Sequence, residues 1–220
     1  MKPLTKTTLI LLVLGSLLWD VGGAYAQQSR SQDRRPVVTS TRVAVADGVF
    51  FGPLFVTIGG QERKIADEAI EAWIIHSGRS VVYSGRDGAG GFENEGHSLR
   101  IYDANTGKTR KVMTEYYMVD KVTEARTTSG KTALLVEMSD GGLGASYLAV
   151  VDPARGQVFF RGGVKILSRR GDIIVIGYYR DTDWEKFYEK ENARVRPYRT
   201  QAHNLNTILR RGVMFNKPDR

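Results

Sequence analysis

Cysteine is absent from all 220 residues. That excludes a disulfide framework, thiolate metal sites, a cysteine nucleophile and a lipid-modified N-terminal cysteine. Histidine is scarce, with only His76, His97 and His203 in the chain. Few imidazole metal centres or general bases can be built from three such residues. HExxH does not occur, and neither does a nucleophile elbow. Ser80, Ser98 and Ser146 each have a glycine two residues before them, but Val82, Arg100 and Leu148 stand where the second glycine belongs. Long apolar runs are also missing beyond Trp19.

The one apolar run, Leu9 to Trp19, follows a positive segment with Lys2 and Lys6 and precedes Ala24-Tyr25-Ala26. This is the pattern of a signal peptide over residues 1–26, cut before Gln27. At about half of the ~20 residues a spanning helix needs, the run leaves no transmembrane span after cleavage. Residues 27–36 are polar and aperiodic, a disordered leader, and 37–220 form a single domain. A periplasmic or secreted location follows. The formal charge is +8. In an exported chain the matching partners are lipopolysaccharide, acidic glycans or anionic lipid rather than nucleic acid.

From Val37 onward, short β-branched and aromatic runs alternate with glycine-bearing turns, the mark of an all-β domain. Expected strands include Thr41–Ala46, Leu54–Ile58, Ala72–Ile75, Ser80–Tyr83, Leu99–Tyr102, Ala133–Met138, Tyr147–Val151, Val158–Phe160 and Asp172–Gly177. Three elements repeat. GGQERKIADE (59–68), TGKTRKVMTE (106–115), RGQVFFRGG (155–163) and LNTILRRGV (205–213) each read as a turn and a strand. HSGRSVVYSG (76–85), TSGKTALLVEM (128–138) and SRRGDIIVIGYY (168–179) form a second set, and SLRIYDANTG (98–107) with SYLAVVDPARG (146–156) a third. Units of roughly 40–50 residues with four strands have the size of propeller blades. The expected fold is therefore all-β, a small β-propeller-like stack of about four four-stranded antiparallel blades.

HSGRSVVYSG and LRIYDANTGK resemble the TolB-type β-propeller repeats of bacterial envelope proteins, most clearly across 73–163. Those blades read as a Ser-x-Asp-Gly turn, an apolar strand and an Ile-Tyr-x-x-Asp-x-x-x-Thr-Gly hairpin. Gly78, Gly130 and Gly171 here lack the preceding aspartate. The resemblance implies a fold and an envelope setting, and many functions share both. One short helical insertion is expected near 182–194. Thr182 and Glu185 form a capping box, Trp184, Phe187 and Tyr188 share a face, and Pro197 limits the far end.

Residues 125–132, ARTTSGKT, match a permissive phosphate-loop pattern, but the following ALLVEM reads as a strand where that chemistry needs a helix N-terminus. Gly88-x-Gly90-Gly91 lacks the third glycine of a dinucleotide fingerprint. The best constellation is Glu93-x-Glu95-x-His97. In an extended chain, alternate residues share a face, so these three are candidate metal ligands or acid–base groups. No cofactor is implied. His76 and His203 read as packing or surface residues.

Loop order in a propeller places Asp87, Glu93, Glu95, His97, Asp140, Asp181, Asp183 and Glu185 on one face. It places Arg63, Arg79, Lys108, Lys131, Arg155, Arg169 and Arg170 on the other. The acidic loops Asp87, Glu93, Glu95, His97, Asp140, Asp181 and Asp183 are the expected binding residues, and the basic face is expected to meet an anionic surface. Two functions fit. One is an envelope binding or interaction module without catalytic activity, with an envelope protein or glycan as partner. The alternative is a metal-assisted hydrolase or lactonase-like enzyme using the 87–97 loop.

Overall fold

A computed structural model describes residues 35–86, 97–115, 118–139, 146–180, 183 and 195–211. Among these residues thirteen strands run in chain order: β1 (Val38–Val43), β2 (Gly52–Ile58), β3 (Gln61–Ile75), β4 (Ser80–Arg86), β5 (His97–Asp103), β6 (Thr109–Glu115) and β7 (Met118–Arg126). They continue as β8 (Thr132–Ser139), β9 (Ser146–Asp152), β10 (Gly156–Gly162), β11 (Val164–Arg170), β12 (Ile173–Tyr178) and β13 (Arg199–Asn204), followed by helix α1 (Leu205–Arg211). All pairings are antiparallel between chain neighbours. The all-β, antiparallel expectation holds. Strands divide as β1–β6, β7–β10 and β11–β13 rather than equally.

The six-stranded sheet is two layers joined by one strand. Gln61–Ala69 of β3 pairs with β2, and Ala69–Ile75 pairs with β4. Register slips on both sides of Ala69 let the fifteen-residue strand turn a corner. The β1–β2 layer then lies on the β4–β5 layer, burying Val38, Leu54, Val56 and Ile58 against Val81, Tyr83 and Tyr102.

Strand periodicity sends alternate residues to opposite cores. From β4, Val81 enters this first core, while Val82 enters a second with Leu99, Ile101, Leu134, Val136, Met138 and Val151. From β8, Leu135 enters a third core with Leu148, Val150, Ile174, Ile176, Leu205 and Leu209. Strands buried on both faces must be apolar throughout, which explains SVVY, ALLV and LAVV. A fully buried leucine such as Leu134 contributes ~1.5–3 kcal/mol by leaving water.

Turn chemistry also follows expectation. Asp103 Oδ1 accepts the Asn105 and Thr106 backbone N–H groups at 2.9 and 2.8 Å, and Gly107 takes φ +67°. Asp152 repeats the device on the Ala154 N–H at 2.8 Å.

Two expectations are corrected. Residues 205–213 were expected as turn and strand, yet Leu205–Arg211 is helical. Leu205, Ile208 and Leu209 are buried at i, i+3 and i+4, a helical spacing. Asn204 Oδ1 accepts the Thr207 N–H at 3.2 Å as a cap. Consequently β1 pairs with β2 and with no strand formed by 205–211. β1 itself begins earlier than Thr41 and ends at Val43. There the Ala44 N–H turns to the Pro53 carbonyl, and Gly52 is needed because a Cβ would fall 2.1 Å from the Ala44 oxygen. Of the expected helix at 182–194, only Asp183 is among the described residues. Its carboxylate accepts the Arg180 N–H at 3.0 Å while its own N–H reaches the Arg180 carbonyl at 2.9 Å.

Candidate functional site

The hairpin turns joining β3 to β4, β5 to β6 and β7 to β8 meet at one end of the sheets. They surround a recess of about 610 Å³ lined by His76, Ser77, Arg79, Ser80, Asp103, Asn105, Glu124, Arg126 and Thr132. Among the described residues no apolar side chain lines it. Its wall is the turn after β3, where three successive residues have left-handed backbone: His76 at φ +53°, Ser77 at +55° and Gly78 at +86°. For His76 and Ser77 this costs roughly 1–2 kcal/mol each. Strain of this kind persists only where surroundings over-determine it.

Glu124 of β7 supplies part of that determination. One carboxylate oxygen accepts the His76 backbone N–H at 2.7 Å, and the other stands 3.8 Å from His76 Nε2. On the ring's far side Nδ1 is 3.3 Å from Ser80 Oγ. His76 and Glu124 are each 28% exposed at the side chain, so the pair faces the recess. The order hydroxyl, imidazole, carboxylate is that of a nucleophile, base and orienting acid. However, 3.8 Å exceeds a hydrogen bond and Ser80 is only 6% exposed, so the set is built to hold a turn and shape a wall.

Charge at this end is lopsided. Asp103 is occupied by its own turn, Asp152 by Arg155 at 2.8 Å, and Glu124 by His76. For Asp152, burial favours the neutral acid, but the hydrogen bonds from Arg155 and Ala154 outweigh it and hold the carboxyl below its ordinary value. Asp172 is occupied by the Thr128 N–H, the Thr128 hydroxyl and Asn206. Arg79, Lys108, Arg126, Lys131, Arg155, Arg169 and Arg170 are all exposed at the same end. Arg79 and Arg126 have no side-chain partner among the described residues.

A separate line of charges runs along β3, β7, β8 and β11. Burial, then Asp120, raises the Glu71 carboxyl, and burial lowers the Lys165 ammonium against the opposing pull of Glu137 and Asp120. Lys121 is 3.7 Å from Glu137.

Of the residues expected to bind, Asp87, Glu93, Glu95, Asp140 and Asp181 lie outside the described residues. His97 is 6% exposed at the start of β5, opposite Arg86 and Glu115, and Asp183 caps its own turn. Among the described residues no group of three or more His, Cys, Asp or Glu is placed to hold a metal ion. Within 125–132 the turn at 127–131 joins β7 to β8, as expected, and Thr127 Oγ1 bonds Ser129 Oγ and donates to the Lys131 carbonyl. In the sequence His76 reads as a packing or surface residue, and nothing there singles out Glu124. The paired turns HSGRS and TSGKT mark both junctions in the sequence, but no local pattern marks the carboxylate that each turn meets. Among the described residues no helix is long and apolar enough to cross a membrane. No family model matches the chain, and no curated protein and no solved structure does either.

Proposed function

We propose that the protein is an exported envelope binding module that docks through its basic hairpin end onto an anionic glycan surface such as lipopolysaccharide. In this reading the three sheets are four propeller-like layers, with β3 serving two of them, in keeping with the TolB-type repeat likeness. The observation that carries it is the imbalance at that end. Its carboxylates are occupied within their own turns or with adjacent groups, while the exposed arginines and lysines outnumber them. Such a field steers an approach over about a Debye length and weakens with salt.

The test is co-sedimentation of the mature protein with lipopolysaccharide-bearing vesicles and with zwitterionic ones. Binding is expected only to the former and is lost at 0.5 M salt. Replacing Lys131, Arg155 and Arg170 by glutamate should abolish it. Equal sedimentation of that variant would refute the docking face.

A further inference from the structure

We infer that the His76–Glu124 recess is a specific site for an anionic, hydroxyl-rich ligand, a sugar bearing a carboxylate or a phosphate. The inference rests on the docking reading above and names the part of that face that recognises one residue of the surface.

Size comes first. At about 610 Å³ the recess falls within the ~300–1,000 Å³ typical of small-molecule sites. Such sites are ordinarily lined by apolar and aromatic side chains. Here every lining residue among the described ones is of a polar type, which suits a ligand that exchanges water for hydrogen bonds along its edge.

The formal charges of the lining balance, Asp103 and Glu124 against Arg79 and Arg126, so the class of ligand is decided by which groups still have free hydrogen-bonding capacity. Both lining carboxylates are already engaged, Asp103 by the Asn105 and Thr106 N–H groups and Glu124 by the His76 N–H. Arg79 and Arg126 are lining residues without a side-chain partner among the described residues. Two guanidiniums offer forked donors matched to carboxylate or phosphate oxygens. Ser77, Thr132 and Asn105 add groups that both donate and accept, the complement of a sugar hydroxyl.

Pre-organisation is the third strand. Three successive left-handed residues fix the recess wall, and the Glu124 bond fixes it to the next sheet. Gly78 is pinned further, because a Cβ there would lie 2.4 Å from Val37 Cγ1 and 2.7 Å from the Val38 oxygen. A wall held this firmly loses little entropy when a ligand enters.

The experiment is titration calorimetry on the full mature chain with four probes: digalacturonate, glucose 6-phosphate, lactose and inorganic phosphate. Saturable binding of digalacturonate or glucose 6-phosphate is expected, whichever anion the site prefers. Lactose and inorganic phosphate should bind at least tenfold more weakly. The double variant Arg79→Gln/Arg126→Gln should weaken the preferred sugar tenfold or more. Arg210→Gln/Arg211→Gln, which removes the same charge on helix α1 and outside the recess, should change it less than twofold. Both variants alter exposed side chains, and thermal melts matching the parent establish that they fold. Absence of saturable binding by either charged sugar overturns the inference, as does inorganic phosphate binding equally well, or equal losses in the two double variants. Vesicle docking that persists through such a failure leaves the docking reading standing, because that test uses other residues.

Discussion

Two junctions at the hairpin end are built on one plan and finished differently. In each, the turn of one sheet donates a backbone N–H to a carboxylate of the next at 2.7 Å: His76 to Glu124, and Thr128 to Asp172. At the second junction the Thr128 hydroxyl and the Asn206 amide fill the remaining space around the acid, and Ser129 bonds Asn206 in turn. Arg169 closes it further by reaching the Glu124 and Arg126 carbonyls. At the first junction the second carboxylate oxygen faces an imidazole 3.8 Å away, and the space is the recess. A junction whose polar groups satisfy one another is a staple. One that leaves guanidiniums unmatched is a receptor for something else.

The largest contrast is expected at the turn glycines. Gly78 and Gly130 occupy the same position in the two repeats, at φ +86° and +78°. Gly130→Ala meets nothing within 4 Å, so its cost is the left-handed backbone alone, ~1–2 kcal/mol. Gly78→Ala adds overlap with Val37 and with backbone, and overpacking of this kind adds ~1–3 kcal/mol. Thermal melts should put Gly78→Ala several degrees below Gly130→Ala, at ~2–4 °C per kcal/mol for a chain of this size. Equal melting points would mean the first junction is no tighter than the second.

Next come the acids. Asp172→Ala removes the acceptor of three donors, and Glu124→Ala that of one backbone N–H and a distant ring. With hydrogen bonds to charged groups worth ~1.5–3 kcal/mol and exposure discounting both, Asp172→Ala should cost about 2 kcal/mol in denaturant unfolding and Glu124→Ala about half that. The reverse order would overturn the distinction between staple and receptor.

Much of this architecture was legible in the chain. Alternation and turn glycines announced strands, and the recurrence of SGRS with SGKT, and of Asp103 with Asp152, announced that sheets repeat. Uneven strand apportionment was not legible, because 59–68 and Ala72–Ile75 read as two separate strands, and only the partners of β3 reveal one continuous strand turning a corner at Ala69. Helix α1 was legible but outvoted. LNTILRR carries the 3.6 period at 205, 208 and 209, yet its likeness to the other turns suggested a strand. The recess was hidden for another reason. His76 and Glu124 are 48 residues apart, and no local spacing records which carboxylate will lie beneath which turn.

The smallest effect separates the two ends of the stack by pH. His203 lies on β13, with its ring 5.8 Å from Phe159 and its Nε2 3.4 Å from the Tyr178 hydroxyl. Burial, then the Arg161 and Arg199 guanidiniums, lowers its affinity for a proton below the ordinary histidine value. The unfolded chain therefore binds more protons than the folded one between the folded value and ~6.5. Stability should be level above that window, fall as pH drops through it, and level again below the folded value so far as His203 is concerned. Denaturant unfolding of the parent and of His203→Gln from pH 7.5 to 5 measures this. The parent should lose stability relative to the variant on acidification, because glutamine keeps a donor for the tyrosine but takes up no proton. Parallel curves would show that neither burial nor the two arginines lowers the proton affinity of the ring.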